Sequence, residues 1–196
     1  MKTQHSALAP LLRSNTQGDL LALLLLRPDQ EYTLTELGHE VGAVPATVHR
    51  EISRLVDSGL LKDRRQGKSR LVSANTEARL YGPTRALIEA TYGPRVVLES
   101  ILQEMPGLRH ALIFGSWAAR YRGNDGAAPN DIDVLLVGDV TRRDVLRAAE
   151  EASRLTRQDV NIERVSSDAW DKKTDPFLTT ILNKPLVELH LEKETA

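Results

Sequence analysis

Apolar positions along the chain recur at helical spacing in the first half and gather into short continuous runs in the second. Leu20, Leu21 and the run Leu23 to Leu26 follow Ser14-Asn15-Thr16-Gln17, an S-x-x-Q arrangement that can cap a helix by reciprocal hydrogen bonds. The pattern predicts a leucine-rich core helix over 18–26, ended by Arg27-Pro28-Asp29. Thr33-Leu34-Thr35-Glu36 is a second capping-box pattern, and Leu34, Leu37 and Val41 fall on one helical face before Gly42 stops it. Pro45 suits the first position of a further helix, where its missing N–H costs nothing. Along that helix Val48, Ile52, Leu55 and Val56 form one apolar stripe, and Gly59 closes it. Leu60-Leu61 and Leu71-Val72 then read as the arms of a hairpin with Gln66-Gly67 near its turn.

The pattern changes after residue 75. Residues 76–105 are helical in spacing with a break at Tyr92-Gly93-Pro94, and Val96, Val97, Ile101 and Leu102 follow that break. Ala111-Leu112-Ile113-Phe114 is a short apolar run suited to a strand buried on both faces. Asp131-Ile132-Asp133-Val134-Leu135-Leu136-Val137 is a second strand, reached through a Gly- and Pro-containing loop over 122–130. An amphipathic helix over 141–157 leads to a third strand, Asp159-Val160-Asn161-Ile162-Glu163. Trp170 and Phe177 read as apolar caps over the core near a Pro turn. The expected architecture is thus two domains: a mainly-α one with a β-hairpin over 10–75, and an α/β one with a mixed sheet and flanking helices over 94–192. Residues 76–93 connect them.

Composition narrows the class. The chain has 196 residues, 41% hydrophobic and 27% charged, ordinary values for a globular protein. It contains no cysteine, which removes disulfides, thiol nucleophiles and thiolate metal sites and fits a reducing cytoplasm. The run Leu20 to Leu26 is far shorter than the roughly 20 residues that cross a bilayer. The start, Met1 to Ser6, has one basic residue and no long hydrophobic stretch behind it, so neither a membrane anchor nor a signal peptide is expected. The five histidines show no spacing typical of a metal site.

The net charge of −1 conceals an uneven distribution. Ten basic residues stand against eight acidic ones through Asn75, and sixteen against nineteen after it. Lys62 to Arg70 alone holds five basic residues and one acidic one around Gly67. On the helix begun by Pro45, the apolar stripe leaves Ala46, Thr47, His49, Arg50, Ser53 and Arg54 pointing wholly or partly outward. Small and polar residues at a helix start followed by Arg suit a major groove, where Arg reaches guanine edges or phosphates. A solvated charged hairpin, or a protein-binding module, is the plainer alternative for the same charges. The order of capped helix, Gly turn, Pro-initiated helix and basic hairpin, with VPATVHREISRLVDSGLLKDRRQGKSRLV carrying most of it, resembles the winged helix-turn-helix transcription regulators of the ArsR and MarR type. That resemblance implies double-stranded DNA as partner, Thr47, Arg50 and Arg54 as base or phosphate contacts, Arg64, Arg65, Lys68 and Arg70 as wing contacts, and a homodimer.

The second half carries different chemistry. Gly115-Ser116 directly after a strand brings backbone N–H groups and a hydroxyl to where an anion can sit. Strand alternation places Asp131 and Asp133 on one face, so both carboxylates can meet one metal site, and Mg²⁺ prefers such oxygens together with phosphates. Apolar strand, Gly-Ser, helix, D-x-D and apolar strand together resemble the nucleotidyltransferase superfamily of minimal nucleotidyltransferases and DNA polymerase beta. The resemblance implies that Gly115 and Ser116 bind nucleotide phosphate and that Asp131 and Asp133 hold Mg²⁺ and serve catalysis, with an NTP as substrate or ligand.

The chain departs from that pattern at two points. Ala119 stands where the family often has Arg; Arg120 follows one place later as the nucleotide-binding substitute, and Arg122 lies two further on. The third acid is expected at position 161, which is Asn161. Glu163 would serve as the third acid only by reaching back about 7 Å along the strand. The expectation is therefore a cytoplasmic DNA-binding transcription regulator whose second domain binds nucleotide and Mg²⁺ or is catalytically degenerate. The alternative is an active Mg²⁺-dependent nucleotidyltransferase that modifies a small molecule, an RNA end or a protein hydroxyl, including one of toxin–antitoxin type.

Overall fold

The computed structural model describes residues 12–124, 129–173 and 176–191. It is a mixed α/β structure with two small sheets, and its packing divides into two compact units at Gly93 and Pro94. Among the described residues no helix is long and apolar enough to cross a membrane. The N-terminal segment read for a signal peptide lies outside the described residues, as do 125–128 of the expected loop and the last residue of the expected second domain.

In the first unit α1 (Asn15–Leu25) begins three residues before the predicted start. Ser14 caps it by accepting from the Gln17 amide, while the Gln17 side chain accepts from the Arg13 amide rather than closing the expected reciprocal box. β1 (Tyr32–Thr33) leads into α2 (Leu34–Val41), where the second box is complete: Thr33 accepts from the Glu36 amide and Glu36 from the Thr33 amide at 2.7 Å. Those bonds hold the Glu36 carboxyl below the usual range. Gly42 ends α2 in a left-handed turn at φ 63°, and Pro45 opens α3 (Pro45–Asp57) at its first position. β2 (Leu61–Gln66) and β3 (Ser69–Ala74) form the hairpin in the register Arg65 opposite Arg70, and the sheet order is β1-β3-β2.

α4 (Tyr81–Tyr92) belongs to this unit. Its Ile88 is buried with Leu20, Leu24, Leu37, Val48, Ile52, Leu61 and Val72, and Gly18 lacks a side chain where the Tyr92 ring lies against α1. The stretch read as a connection thus closes the core around the leucine helix.

The second unit opens with α5 (Pro94–Leu102), β4 (Leu108–Phe114) and α6 (Gly115–Tyr121). β5 (Asp131–Gly138), α7 (Arg142–Thr156) and β6 (Asp159–Val165) form a parallel strand pair joined by a helix, the connection that parallel strands require. α8 (Ser167–Lys172), α9 (Pro176–Leu182) and β7 (Val187–Glu188) complete a sheet ordered β6-β5-β4-β7, mixed in direction. β5 shows how one strand serves two faces. Ile132, Val134 and Leu136 pack with Leu98, Leu102, Trp117, Ala148 and Ala152 on one side. Leu135 and Val137 pack with Val165, Leu178 and Ile181 on the other. Asp131 and Asp133 share that second face upstream of Leu135, and both are half-buried.

Gly138 ends β5 at φ 147°, and a Cβ there would run into the Gly107 carbonyl oxygen, so the close approach of β4 and β5 depends on both glycines. Gly138→Ala should destabilise the second unit by roughly 1–3 kcal/mol through positive-φ strain and this collision. Both tryptophans of the chain, Trp117 and Trp170, lie in this unit. Denaturant unfolding followed by tryptophan fluorescence should therefore show an earlier midpoint in the variant.

Candidate functional site

Each unit presents one arrangement of polar side chains beyond what its core needs. In the first unit, α3 buries Val48, Ile52 and Leu55 and turns Arg50 and Arg54 outward, with 59% and 49% of their side chains exposed. Thr47 is half-buried near the start of the helix. The hairpin is fastened to this helix by Arg70, whose Nη1 donates to Ser53 Oγ at 3.3 Å while its Nε donates to Asp63 at 2.6 Å. Arg70 thus ties the hairpin to the outer side of α3.

Most of the basic residues predicted to contact DNA already have an internal carboxylate. Arg64 donates from Nε to Glu31 at 2.9 Å and also bonds that carboxylate through Nη2. The pairing pulls the Glu31 carboxyl below its usual range, so the contact persists above that range and is lost as pH falls through the lowered value. Arg50 and Arg54 both reach Glu51, which is almost wholly buried. Arg65 and Lys68 alone among the seven charged or polar contacts predicted here, Thr47 aside, are exposed and have no ion partner among the described residues. Apolar patterning misses Glu51, although its place three residues after Val48 and four before Leu55 puts it on the inner face. Glu31 and Asp63 gave no signal because Glu31 meets Arg64 across 33 residues of sequence and Asp63 meets Arg70 only through hairpin register.

In the second unit the register places Phe114 beside Asp133 on one side and Asn161 on the other, with Asp131 opposite Asp159 and Leu135 opposite Glu163. Asn161 Nδ2 donates to Asp133 Oδ1 at 3.3 Å and to Asp131 Oδ2 at 3.4 Å, so one amide bridges both carboxylates. Gly115 begins α6 at φ 72°, and a Cβ there would strike the Asp133 carboxylate. Ser116 is exposed next to it. The structure thus brings Gly115, Ser116, Asp131, Asp133 and Asn161 together. Arg120 instead donates to the Asn124 carbonyl at 2.8 Å, and Arg122 to the Leu186 carbonyl at 3.0 Å. Glu163 does not join the pair: among the described residues no three His, Cys, Asp or Glu side chains gather closely enough to hold a metal ion. Of the two aromatics read as caps, Trp170 stacks on His110, and Phe177 packs edge-on against Phe114, beside the carboxylates.

This donor set has a definite metal chemistry. Two carboxylates on one strand face suit a hard cation, and rotation of the Asn161 amide offers its Oδ1 as a neutral third oxygen. That fits one Mg²⁺. The charge that a second would require is absent, because Asn161 supplies none.

No protein-family model matches the chain, and no curated protein matches it. Partial likenesses exist to solved structures. A double mutant of ZitR from Lactococcus lactis is 23% identical over 44% of this chain and 60% of that one, with a TM-score of 0.34. A single mutant of ZitR in complex with DNA is 21% identical over 51% and 68%, at 0.35. A protein from Sulfolobus solfataricus described as a candidate nucleotidyltransferase is 23% identical over 51% and 78%, at 0.30. The chain spans about 60% of the first of these, and none of the three likenesses is close enough to assign it a function.

The contact between Gly115 and Asp133 yields a direct expectation. Gly115→Ala should displace the Asp133 carboxylate, and the side-chain amide resonances of Asn161 in ¹⁵N-labelled protein should shift as its acceptor moves. Unchanged Asn161 resonances would mean that the carboxylate is not held against Gly115.

Proposed function

We propose that the chain is a transcription regulator of the cytoplasm that binds double-stranded DNA as a homodimer, and that its second unit binds a nucleotide with Mg²⁺ at a nucleotidyltransferase-like site of little or no catalytic capacity. The observation that carries the first part is the fastening of the hairpin, which bears Arg65 and Lys68, to α3, which bears Arg50 and Arg54, through Arg70 and Ser53. This supports reading the unit as a winged helix, in which α3 would enter the major groove and the hairpin would be the wing. Lys68 and Arg65, which have no ion partner among the described residues, are the predicted contacts left to neutralise phosphates. The others reach DNA only while held by, or released from, Glu31, Glu51 and Asp63.

Fluorescence anisotropy with the duplex upstream of the chain's own reading frame tests this reading. Arg50→Ala should cost about 1–3 kcal/mol and relax sequence preference, whereas Arg65→Ala and Lys68→Ala should each reduce the slope of log affinity against log salt by about 0.9 with preference unchanged. A stoichiometry of two chains per duplex is expected. Weak binding to every duplex, insensitive to all three substitutions, would refute the regulator.

The geometry of Gly115, Asp131 and Asp133 supports a second reading, an active nucleotidyltransferase. Here Asp131 and Asp133 would hold Mg²⁺, which would supply charge neutralisation at the phosphates, while Gly115 leaves room for the Asp133 carboxylate and Ser116 offers its hydroxyl to an oxygen. Asn161 orients the two carboxylates through its amide but cannot take a proton or balance a second cation.

Asn161→Asp separates the two readings. It should raise Mn²⁺ or Mg²⁺ affinity by about tenfold or more, read by calorimetry, because a third charge joins the pair. If the wild-type chain already transfers label from an NTP to a component of cell extract, and Asp131→Ala with Asp133→Ala abolishes it, the enzyme reading stands. Transfer only in Asn161→Asp, or in neither, supports the degenerate site.

A further inference from the structure

Glu51 is the one charged side chain among the described residues that is buried with the core, at 3% exposure. It occupies the inner face of α3 with Val48, Ile52 and Leu55, a position where an apolar residue normally stands. Its Oε1 accepts from Arg50 Nε at 3.4 Å and from Arg54 Nη1 at 3.2 Å, while its Oε2 is buried with no hydrogen-bond partner among the described residues. Packing does not call for this arrangement, because a buried carboxylate with an unsatisfied oxygen weakens a fold that a similar apolar side chain would stabilise. The residue makes sense through what its charge does to the two arginines.

We propose that Glu51 is a specificity-determining positioning residue, a buried carboxylate that pins Arg50 and Arg54 for base contact and suppresses indiscriminate attraction to phosphate. This inference rests on the reading of α3 as the helix that faces DNA. With Nε engaged, Arg50 presents the Nη1 and Nη2 end of its guanidinium; with Nη1 engaged, Arg54 presents Nε and Nη2. Each keeps a two-donor edge of the kind that meets O6 and N7 of guanine. Unpinned, both side chains would sample many rotamers and reach whichever phosphate lies nearest. The negative charge at Glu51 also repels phosphates, and it penalises non-specific binding most, since phosphate contacts supply nearly all of that affinity. Selectivity is gained from both effects at the expense of stability.

The test uses the full chain. A duplex selected by the wild-type protein from a random library, and a scrambled duplex of the same length, are titrated with wild type, Glu51→Gln and Glu51→Met. The same pair of substitutions is then placed in an Arg50→Ala, Arg54→Ala background, and thermal unfolding is recorded for every variant. Both single variants should bind the scrambled duplex about two- to fivefold more tightly. The affinity ratio of selected to scrambled duplex should fall by about tenfold. Glu51→Met should unfold at the wild-type temperature or above it, since methionine fills the same space without charge. Without the two arginines, changing residue 51 should move the ratio much less, since only the direct repulsion of phosphates remains.

A merely structural role predicts the opposite: equal weakening on both duplexes together with lowered unfolding temperatures, or loss of folding in both variants, and either result overturns the proposal. A selective wild type whose ratio is unchanged in both variants also overturns it and leaves the DNA-binding reading intact. A wild type that selects no duplex at all removes that reading and this inference with it.

Discussion

A carboxylate taken from water must be compensated, and the way each unit does so determines what its polar surface can do. In the first unit the compensation comes from guanidinium groups, which carry full charge and several donors in a fixed plane. Buried Glu51 holds both Arg50 and Arg54, while Glu31 and Asp63, which stay exposed, pair with Arg64 and Arg70, so the exposed surface of α3 and the hairpin is organised by the acids beneath and beside it. In the second unit Asp131 and Asp133 have, among the described residues, only the Asn161 amide, a neutral donor at 3.3–3.4 Å. The first arrangement is close to balanced; the second keeps an excess of negative charge that a cation would relieve.

That excess follows from the alternation along β5. Odd positions change from Asp131 and Asp133 to Leu135 and Val137, and the apolar cover from Leu178 and Ile181 reaches only the latter pair. The carboxylates are therefore fixed by a strand whose other face is fully packed, yet they remain open toward solvent. A rigid backbone with an open polar end is what a binding site needs. Gly115 tightens it further, since its missing side chain is what allows α6 to start against Asp133. Asn161 stands where a third acid was expected, so the cluster carries two carboxylates bridged by one neutral amide.

How far these features were legible depends on whether their cause is local. The capping box at Thr33 and Glu36, the left-handed Gly42, Pro45 at the start of α3 and the D-x-D alternation are set by residues a few positions apart, and each reads directly from the chain. The leucine helix was legible in its body but not at its start, where Gln17 bonds to Arg13 in place of Ser14. The role of α4 was hidden because it depends on Ile88 reaching the first core and on the Tyr92 ring filling the space left at Gly18, contacts distant in sequence. Glu51 escaped for another reason. Patterns of burial are read by counting apolar residues, so a charged residue on the inner face reads as a gap in the stripe rather than as part of it.

Net charge misleads here for the same physical reason. A total of −1 suggests indifference to nucleic acid, and a cluster of five basic residues in nine suggests strong attraction. Neither holds once the pairs are formed, because an arginine bound to its own carboxylate contributes little field beyond a Debye length. What survives at long range comes from Lys62, Arg65 and Lys68, none with an ion pair among the described residues, and from the one positive charge left where Arg50 and Arg54 share Glu51. Paired arginines still offer their remaining N–H groups at contact distance, where orientation matters more than field. On a surface built in this way the internal acids lower the long-range field and fix the direction of the remaining donors, so contact geometry counts for more than net charge.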